Sequence, residues 1–224
     1  MKRKGFLITF EGIDGSGKTT QLRLTEKYLR DKGYDILVLR EPGSTPLGEK
    51  IRKILLHRPV RRPGLDRQNK INPASELLLY VAARAELVKD VIEPSLKRGT
   101  IILCDRFYDS TTAYQGYGRG IDINLLENLN RVAVGESIPD LTFLVDLDYR
   151  TSLGRRKKFT DRLESESKAF FNRVRRGFLE IARKEPQRIA MLDGRKGEEE
   201  LFISVKSRIC QEVASCLRTL LKIK

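Results

Sequence analysis

The residues with the clearest chemistry are Gly12-Ile13-Asp14-Gly15-Ser16-Gly17-Lys18-Thr19, which fit G-x-x-x-x-G-K-[ST]. Glycines at these positions let successive backbone N–H groups turn inward around a phosphate, and a helix opening at Lys18 adds its positive end. Lys18 is placed to reach the β- and γ-phosphates, and the Thr19 hydroxyl to complete a Mg²⁺ shell beside water and phosphate oxygens. Thr20 closes the same candidate ATP-binding stretch, 12–20. A second cluster is Cys104-Asp105-Arg106. The planar fork of Arg106 suits a phosphate in two-point contact. Asp105 has two readings, a water-mediated Mg²⁺ ligand or a partner that fixes Arg106. A third cluster is the basic run Arg155 to Lys158.

Chemistry at these points needs elements that bring them together. Short apolar runs (Phe6 to Phe10, Ile36 to Leu39, Ile101 to Cys104, Leu141 to Val145 and a weaker Ile189 to Leu192) alternate with segments of helical period. The helical candidates cover about 18–32, 47–56, 73–98, 124–134, 151–184 with interruptions, and 198–221. This order predicts an α/β fold, a parallel sheet covered by helices on both faces. The P-loop then follows the first strand, and Asp105-Arg106 lies at the carboxyl edge where such sheets bind ligands. In the last helix Leu201, Val205, Ile209, Val213, Leu217 and Leu220 form one apolar stripe, read as core. Residues 58–72, RPVRRPGLDRQNKIN, have no period and read as an exposed loop.

A chain of 224 residues suits one domain, 1–224, with mobile insertions. Lys and Arg outnumber Asp and Glu by 44 to 30, and the formal charge of +14 fits phosphorylated small molecules, nucleic acid or a membrane surface equally well. Cys104, Cys210 and Cys216 have no C-x-x-C spacing, so neither a disulfide framework nor a zinc ribbon is indicated. His57 stands alone in a basic stretch and reads as a surface residue. Phe6 to Phe10 is too short for a signal peptide and no 18-residue apolar run follows, so a soluble, cytoplasmic protein is expected. A GTPase would carry N-K-x-D, and Asn69-Lys70-Ile71-Asn72 lacks the aspartate.

The run DRFYDSTTAYQG (105–116) resembles the D-R-[YF]-x-x-S-x-x-A-Y-Q-G block of thymidylate kinases. So do FEGIDGSGKTTQ, REPGSTPLGEKIR, ELLLYVAARAELV, PDLTFLVDLD, DRLESE and FFNRVRRGF, in that family's order from Phe10 to about Gly177. The resemblance implies a P-loop three-layer sandwich whose five-stranded parallel sheet runs 2-3-1-4-5, with a helical lid at about 150–163 and a homodimer. It implies ATP and Mg²⁺ with dTMP as acceptor, and neither nucleic acid nor membrane as partner. By position, Asp14 would hold the sugar 3′-hydroxyl and Arg106 the acceptor phosphate. Tyr80 would stack on the base, Arg84 would touch its edge, and Tyr114 would crowd the ribose 2′ position. Thr111 and Gln115 fall at base and phosphate contacts, and Arg40 and Pro42 in the loop lining that pocket. The family usually reads REPGGT. Ser44 replaces the second glycine, and a positive φ there would cost serine about 1 kcal/mol.

Phosphoryl transfer needs in-line placement and positive charge on the transferred group. The variable P-loop positions hold no arginine, while GRRKKFTDR follows the fourth strand, so the resemblance implies that a lid arginine, Arg156 ahead of Arg155, supplies that charge. Two other activities remain open from the residues: a sibling kinase acting on another pyrimidine monophosphate, and a basic nucleic-acid-binding ATPase. A nucleotide-binding scaffold without turnover is a third, opposed by the intact Lys18, Thr19, Asp105 and Arg106.

Overall fold

A computed structural model describes residues 5–57, 71–156 and 161–221. Most of the basic stretch 58–72 and residues 157–160 of the lid run therefore lie outside the described residues. Five parallel strands, β1 (Phe6–Glu11), β2 (Ile36–Arg40), β3 (Ile101–Asp105), β4 (Leu141–Asp146) and β5 (Ile189–Asp193), form one sheet in the order β2-β3-β1-β4-β5. Each strand extends one residue past its apolar run, and the added residue is charged every time: Glu11, Arg40, Asp105, Asp146 and Asp193. The register sets Phe10 and Arg40 on either side of Asp105, so the carboxyl edge carries charge in one row.

Side chains alternate along the strands. Phe6, Ile8 and Phe10 of β1 pack with Leu103, Phe143 and Val145 against Leu22 and Leu29 of α1 (Lys18–Asp31) and Leu201, Val205 and Ile209 of α9 (Glu198–Leu221). Val213, Leu217 and Leu220 of the apolar stripe have side chains outside the described set. The opposite face meets α3 (Pro73–Leu87), which runs through a π-helical stretch, Val88–Ile92, into α4 (Glu93–Arg98). It also meets α8 (Lys168–Lys184), whose Phe171, Val174 and Phe178 cover Leu144 and Ile189. The polar residues of β1 on that face are paired rather than excluded. The Thr9 and Thr142 hydroxyls share a hydrogen bond of 2.7 Å, and Glu11 is fully buried with partners described below.

Helix ends carry caps that the residue types explain. Thr45 accepts from the Gly48 N–H at the start of α2 (Pro46–Leu56), and Asn72 from the Ala74 N–H at the start of α3, each followed by proline. Asp122 caps α6 (Ile123–Val134) and Asp148 caps α7 (Tyr149–Arg155) through the Leu125 and Thr151 N–H groups. α1 differs: its N-cap is Gly17 at φ 102°, with no side chain on its first N–H groups. The block 105–116 forms a short helix, α5 (Tyr108–Thr111), running into a π-helical stretch, Thr112–Gly118.

Candidate active site

The P-loop glycines are required by their surroundings. A Cβ on Gly12 would lie 2.5 Å from the Val145 carbonyl, and one on Gly15 2.7 Å from the Ser152 carbonyl, with φ of +136° and +80°. β4 and α7 thus press directly against the loop. Lys18 is buried and donates to Asp14 Oδ1 at 3.1 Å. The same oxygen receives Arg106 Nη2 at 2.7 Å, and Arg106 Nη1 donates to Ser110 Oγ at 3.0 Å. Burial pushes the Asp14 carboxyl up, but Arg106 and Lys18 outweigh it and hold the group well below the usual carboxylate range.

The two readings of Asp105 separate here. Asp105 Oδ2 accepts the Thr19 hydroxyl at 2.6 Å, whereas Arg106 turns to Asp14. Arg106 can reach across because its backbone sits at φ +70°, a left-handed conformation that costs a non-glycine residue about 1–2 kcal/mol. Its N–H bonds the Phe10 carbonyl, and its guanidinium lies 5.2 Å from the centroid of the Tyr114 ring. Asp105 and Thr19 are both oxygen donors at the open end of the loop, a set that fits Mg²⁺ held mainly by phosphates and water. Among the described residues no group of three or more His, Cys, Asp or Glu could hold a metal by itself.

A half-open cavity lies beside Asp14. It brings together Asp14, Pro42, Tyr80, Arg84, Arg106, Thr111, Tyr114 and Gln115 of the sequence-derived residues. Arg40 is apart from them: it is exposed, and its Nη2 bonds both oxygens of Glu49 at 3.1 Å. Arg52 of α2 lines the cavity instead, tied to the Pro42 carbonyl at 2.9 Å. Serine at 44 does adopt a positive φ, +66°, and its Oγ accepts the Arg40 N–H at 2.9 Å.

Arg84 is 1% exposed. Its Nε and Nη2 both bond Glu41 Oε2 at 2.8 and 2.6 Å, Nη2 also bonds Thr111 Oγ1 at 2.7 Å, and Nη1 bonds Asn130 Oδ1 at 2.8 Å. Four of about five donors are thus spent on described residues, which leaves one Nη1 hydrogen over. Gln115 donates Nε2 to Glu76 Oε1 at 2.8 Å. Tyr114 is 5% exposed and meets Phe170, Phe171 and Phe178 edge-on.

Several site partners were not singled out by sequence reasoning: Glu11, Glu41, Arg52, Glu76, Ser110, Asn130 and Asp161. Glu11 Oε1 accepts the Phe107 N–H at 2.7 Å and Oε2 the Ser110 hydroxyl at 2.5 Å. Burial, aided by nearby Asp109, pushes its carboxyl up to about 8.

On the other side of the P-loop, Gly15 to Gln21 face Arg155, Arg195 and Lys196 across a groove. Arg155 Nη1 bonds the Gly194 carbonyl at 2.8 Å. Arg156 Nε bonds the Asp14 carbonyl at 3.1 Å, its Nη2 bonds Ser152 Oγ at 2.7 Å, and its guanidinium stacks 4.8 Å from the Phe171 ring. Its Nη1 is buried without a partner.

A P-loop whose acid bridges to a DR arginine, beside an aromatic-lined cavity, matches known proteins over most of the chain. The family model for thymidylate kinase matches residues 10–205. This chain belongs to the thymidylate kinase family. It is 42% identical over 214 residues to a thymidylate kinase of Chlorobaculum tepidum, covering 91% of this chain and 96% of the relative. It is 45% identical over 192 residues to one of a Thermoanaerobacter species, covering 85% and 90%. The crystal structure of thymidylate kinase from Ehrlichia chaffeensis superposes with a TM-score of 0.71 at 37% identity, covering 92% of this chain and 98% of that one. Membership in the thymidylate kinase family accounts for the five-stranded order and for the distance in sequence between the P-loop and the cavity residues that meet at Asp14.

Proposed function

We propose that this thymidylate kinase family member transfers the γ-phosphoryl group of ATP to dTMP, giving dTDP. The observation that carries the reading is Asp14, which belongs to the P-loop and to the wall of the aromatic-lined cavity at once, so donor and acceptor would meet across one residue. In this reading the 12–20 backbone and Lys18 cradle the ATP phosphates, with Thr19 and, through water, Asp105 holding Mg²⁺. The bound ion would neutralise charge on the β- and γ-phosphates.

On the acceptor side Arg106 binds the dTMP phosphate, and Asp14 turns its second oxygen to the sugar 3′-hydroxyl. Tyr80 and Arg84 share one face of α3, a turn apart, and would address the ring face and edge of the base with Gln115 and Thr111. Pro42 closes the wall beside them, and Tyr114 fills the space that a 2′-hydroxyl would need. Arg52 takes the place beside Pro42 expected of Arg40. Arg156, whose unpartnered Nη1 is buried beside the P-loop, supports the lid arginine as the source of positive charge on the transferred group. Arg155 lies toward the ATP side, and the lid would span about 150–163 of one domain, 1–224.

A cytoplasmic location is consistent with the absence, among the described residues, of any helix long and apolar enough to cross a membrane. Exposed Leu78, Leu125 and Val132 on α3 and α6 support a homodimer packed through those helices. The test of the activity is ADP release with ATP and Mg²⁺ against dTMP, dUMP, dCMP, dAMP and single-stranded DNA. Turnover with dTMP is expected; turnover confined to another monophosphate, or stimulated only by DNA, overturns the reading.

A further inference from the structure

Glu76 is the least expected charge in the molecule. It sits in the first turn of α3, is fully buried, and belongs to none of the phosphate-handling groups. Three side chains converge on it. Arg119 reaches Oε1 through Nε at 3.1 Å and Oε2 through Nη2 at 3.2 Å, Arg162 reaches Oε2 through Nη2, and Gln115 donates Nε2 to Oε1. Arg119 is itself anchored on Glu166 at 2.6 Å and lies 4.7 Å from the Phe170 ring centroid, and Arg162 Nε bonds the Leu55 carbonyl at 3.1 Å. Burial pushes the Glu76 carboxyl up, but bonds from Arg119, Gln115 and Arg162 outweigh it and hold the group ionised.

An ionised carboxylate only accepts hydrogen bonds, so Gln115 can meet it only with its NH₂ end. Gln115 is 1% exposed and lines the acceptor cavity. With Nε2 bonded to Glu76 the amide cannot flip without losing that bond, so its carbonyl oxygen stays available as an acceptor while one Nε2 hydrogen is left over. Arg84, on the same cavity wall, has one N–H to offer. Both residues line the cavity, so its wall offers an acceptor from Gln115 and a donor from Arg84. A ring N–H next to a carbonyl, as in thymine or uracil, matches both. Cytosine reverses both positions, with a bare ring nitrogen next to an NH₂ donor.

We propose that Glu76 is a positioning residue for the base, fixing the Gln115 amide so that the cavity selects pyrimidines carrying a ring N–H over cytosine. The proposal rests on the reading of this cavity as the dTMP site. In an E76Q variant residue 76 can donate as well as accept, so Gln115 is free to flip and present its NH₂ to the base.

The experiment measures kcat and KM for dTMP and dCMP in the wild-type protein, E76Q and E76D. Wild type is expected to favour dTMP, and E76Q to narrow the dTMP to dCMP ratio of kcat/KM by about tenfold or more, chiefly through a raised KM for dTMP. E76D keeps a charge for both arginines but withdraws the carboxylate by one methylene; it is expected to narrow the ratio as well, and it decides the matter if E76Q does not fold. Equal losses for the two nucleotides, or an unchanged ratio, would mean that Glu76 only holds the fold together and would overturn the proposal. Absence of dTMP turnover in the wild type is a separate result, which overturns the function and not merely this assignment.

Discussion

In and behind the acceptor cavity four arginines end on carboxylates, Arg84 on Glu41, Arg119 and Arg162 on Glu76, and Arg106 on Asp14, while Arg52 ends on the Pro42 carbonyl. Around the donor groove Arg155 and Arg156 end on the main-chain carbonyls of Gly194 and Asp14. Both sets carry a charged donor, but only the first pairs it with a second full charge, so the first set is held more firmly when a ligand arrives. The second set gives up a weaker partner and can move to a phosphate. Read as a kinase, the molecule prebuilds the site for the base and leaves unspent the positive charge wanted on the transferred phosphoryl group. Preorganised polar walls select a substrate, while a movable arginine acts only once ATP is present.

The largest effect should come from the movable set. R156A is expected to lower kcat by about 10³-fold or more, the scale of a lost arginine finger, with KM for dTMP changed less than about threefold. R155A should act mainly on KM for ATP. Equal kcat losses in both variants, measured by steady-state ADP release, would break the distinction between these two neighbours.

The fixed set should show its effect in stability. R84M removes the partner of Glu41, whose carboxylate stays buried with Oε1 already unpartnered, and a loss of about 3–5 kcal/mol is expected from urea unfolding. R155M, on an arginine with a carbonyl partner, is expected to cost under about 1 kcal/mol. A pair of similar losses would mean that the two sets are held alike.

Glu11 sharpens the comparison through pH. Its folded-state carboxyl, near 8, lies above the ordinary value of 4.5, so between those values the folded state holds a proton that the unfolded chain has released. Stability from this group is fully present below about pH 4.5 and is lost as pH rises through 8, at up to about 1.4 kcal/mol per pH unit. E11Q can still accept the Phe107 N–H and has no proton to lose. Unfolding free energies from pH 5 to 8 should fall less steeply in E11Q than in wild type, and parallel curves would place the titration elsewhere.

How much of this was legible in the sequence depends on whether a residue type constrains its own neighbours. The five strands were visible from apolar runs, and their charged last residues were missed because a charge ends an apolar run even where the backbone ladder continues. The π-helical stretch 112–118 was not read as helix, since TAYQGYG has two glycines and no helical period. P-loop geometry was legible because Gly-Lys-Thr spacing is dictated by phosphate. Glu41, Glu76 and Asn130 were not, because a buried acid or amide satisfying a distant arginine leaves no local pattern. Arg40 was read as lining the cavity, where Arg52 stands, for a related reason: both lie near Pro42, and only the α2 path brings Arg52 to the cavity. The φ of +70° at Arg106 has no signature in its residue type at all.

Ser44 offers the smallest effect and the most divisible one. At φ +66° its Cβ costs about 1 kcal/mol relative to glycine, but its hydroxyl accepts the Arg40 N–H and donates to the Arg40 carbonyl at 3.2 Å, where β2 ends. One such bond is worth about 0.5–1.5 kcal/mol, so strain and bonding nearly cancel. S44G removes both and should change stability by less than about 0.5 kcal/mol. S44A keeps the strain and loses the bonds, and should destabilise by about 1 kcal/mol. Because the hydroxyl ties down the loop that carries Pro42, S44A should also raise KM for dTMP modestly while KM for ATP stays put. If S44G is the variant that destabilises, the serine is not strained by its conformation, and the departure from glycine needs no compensation from Arg40.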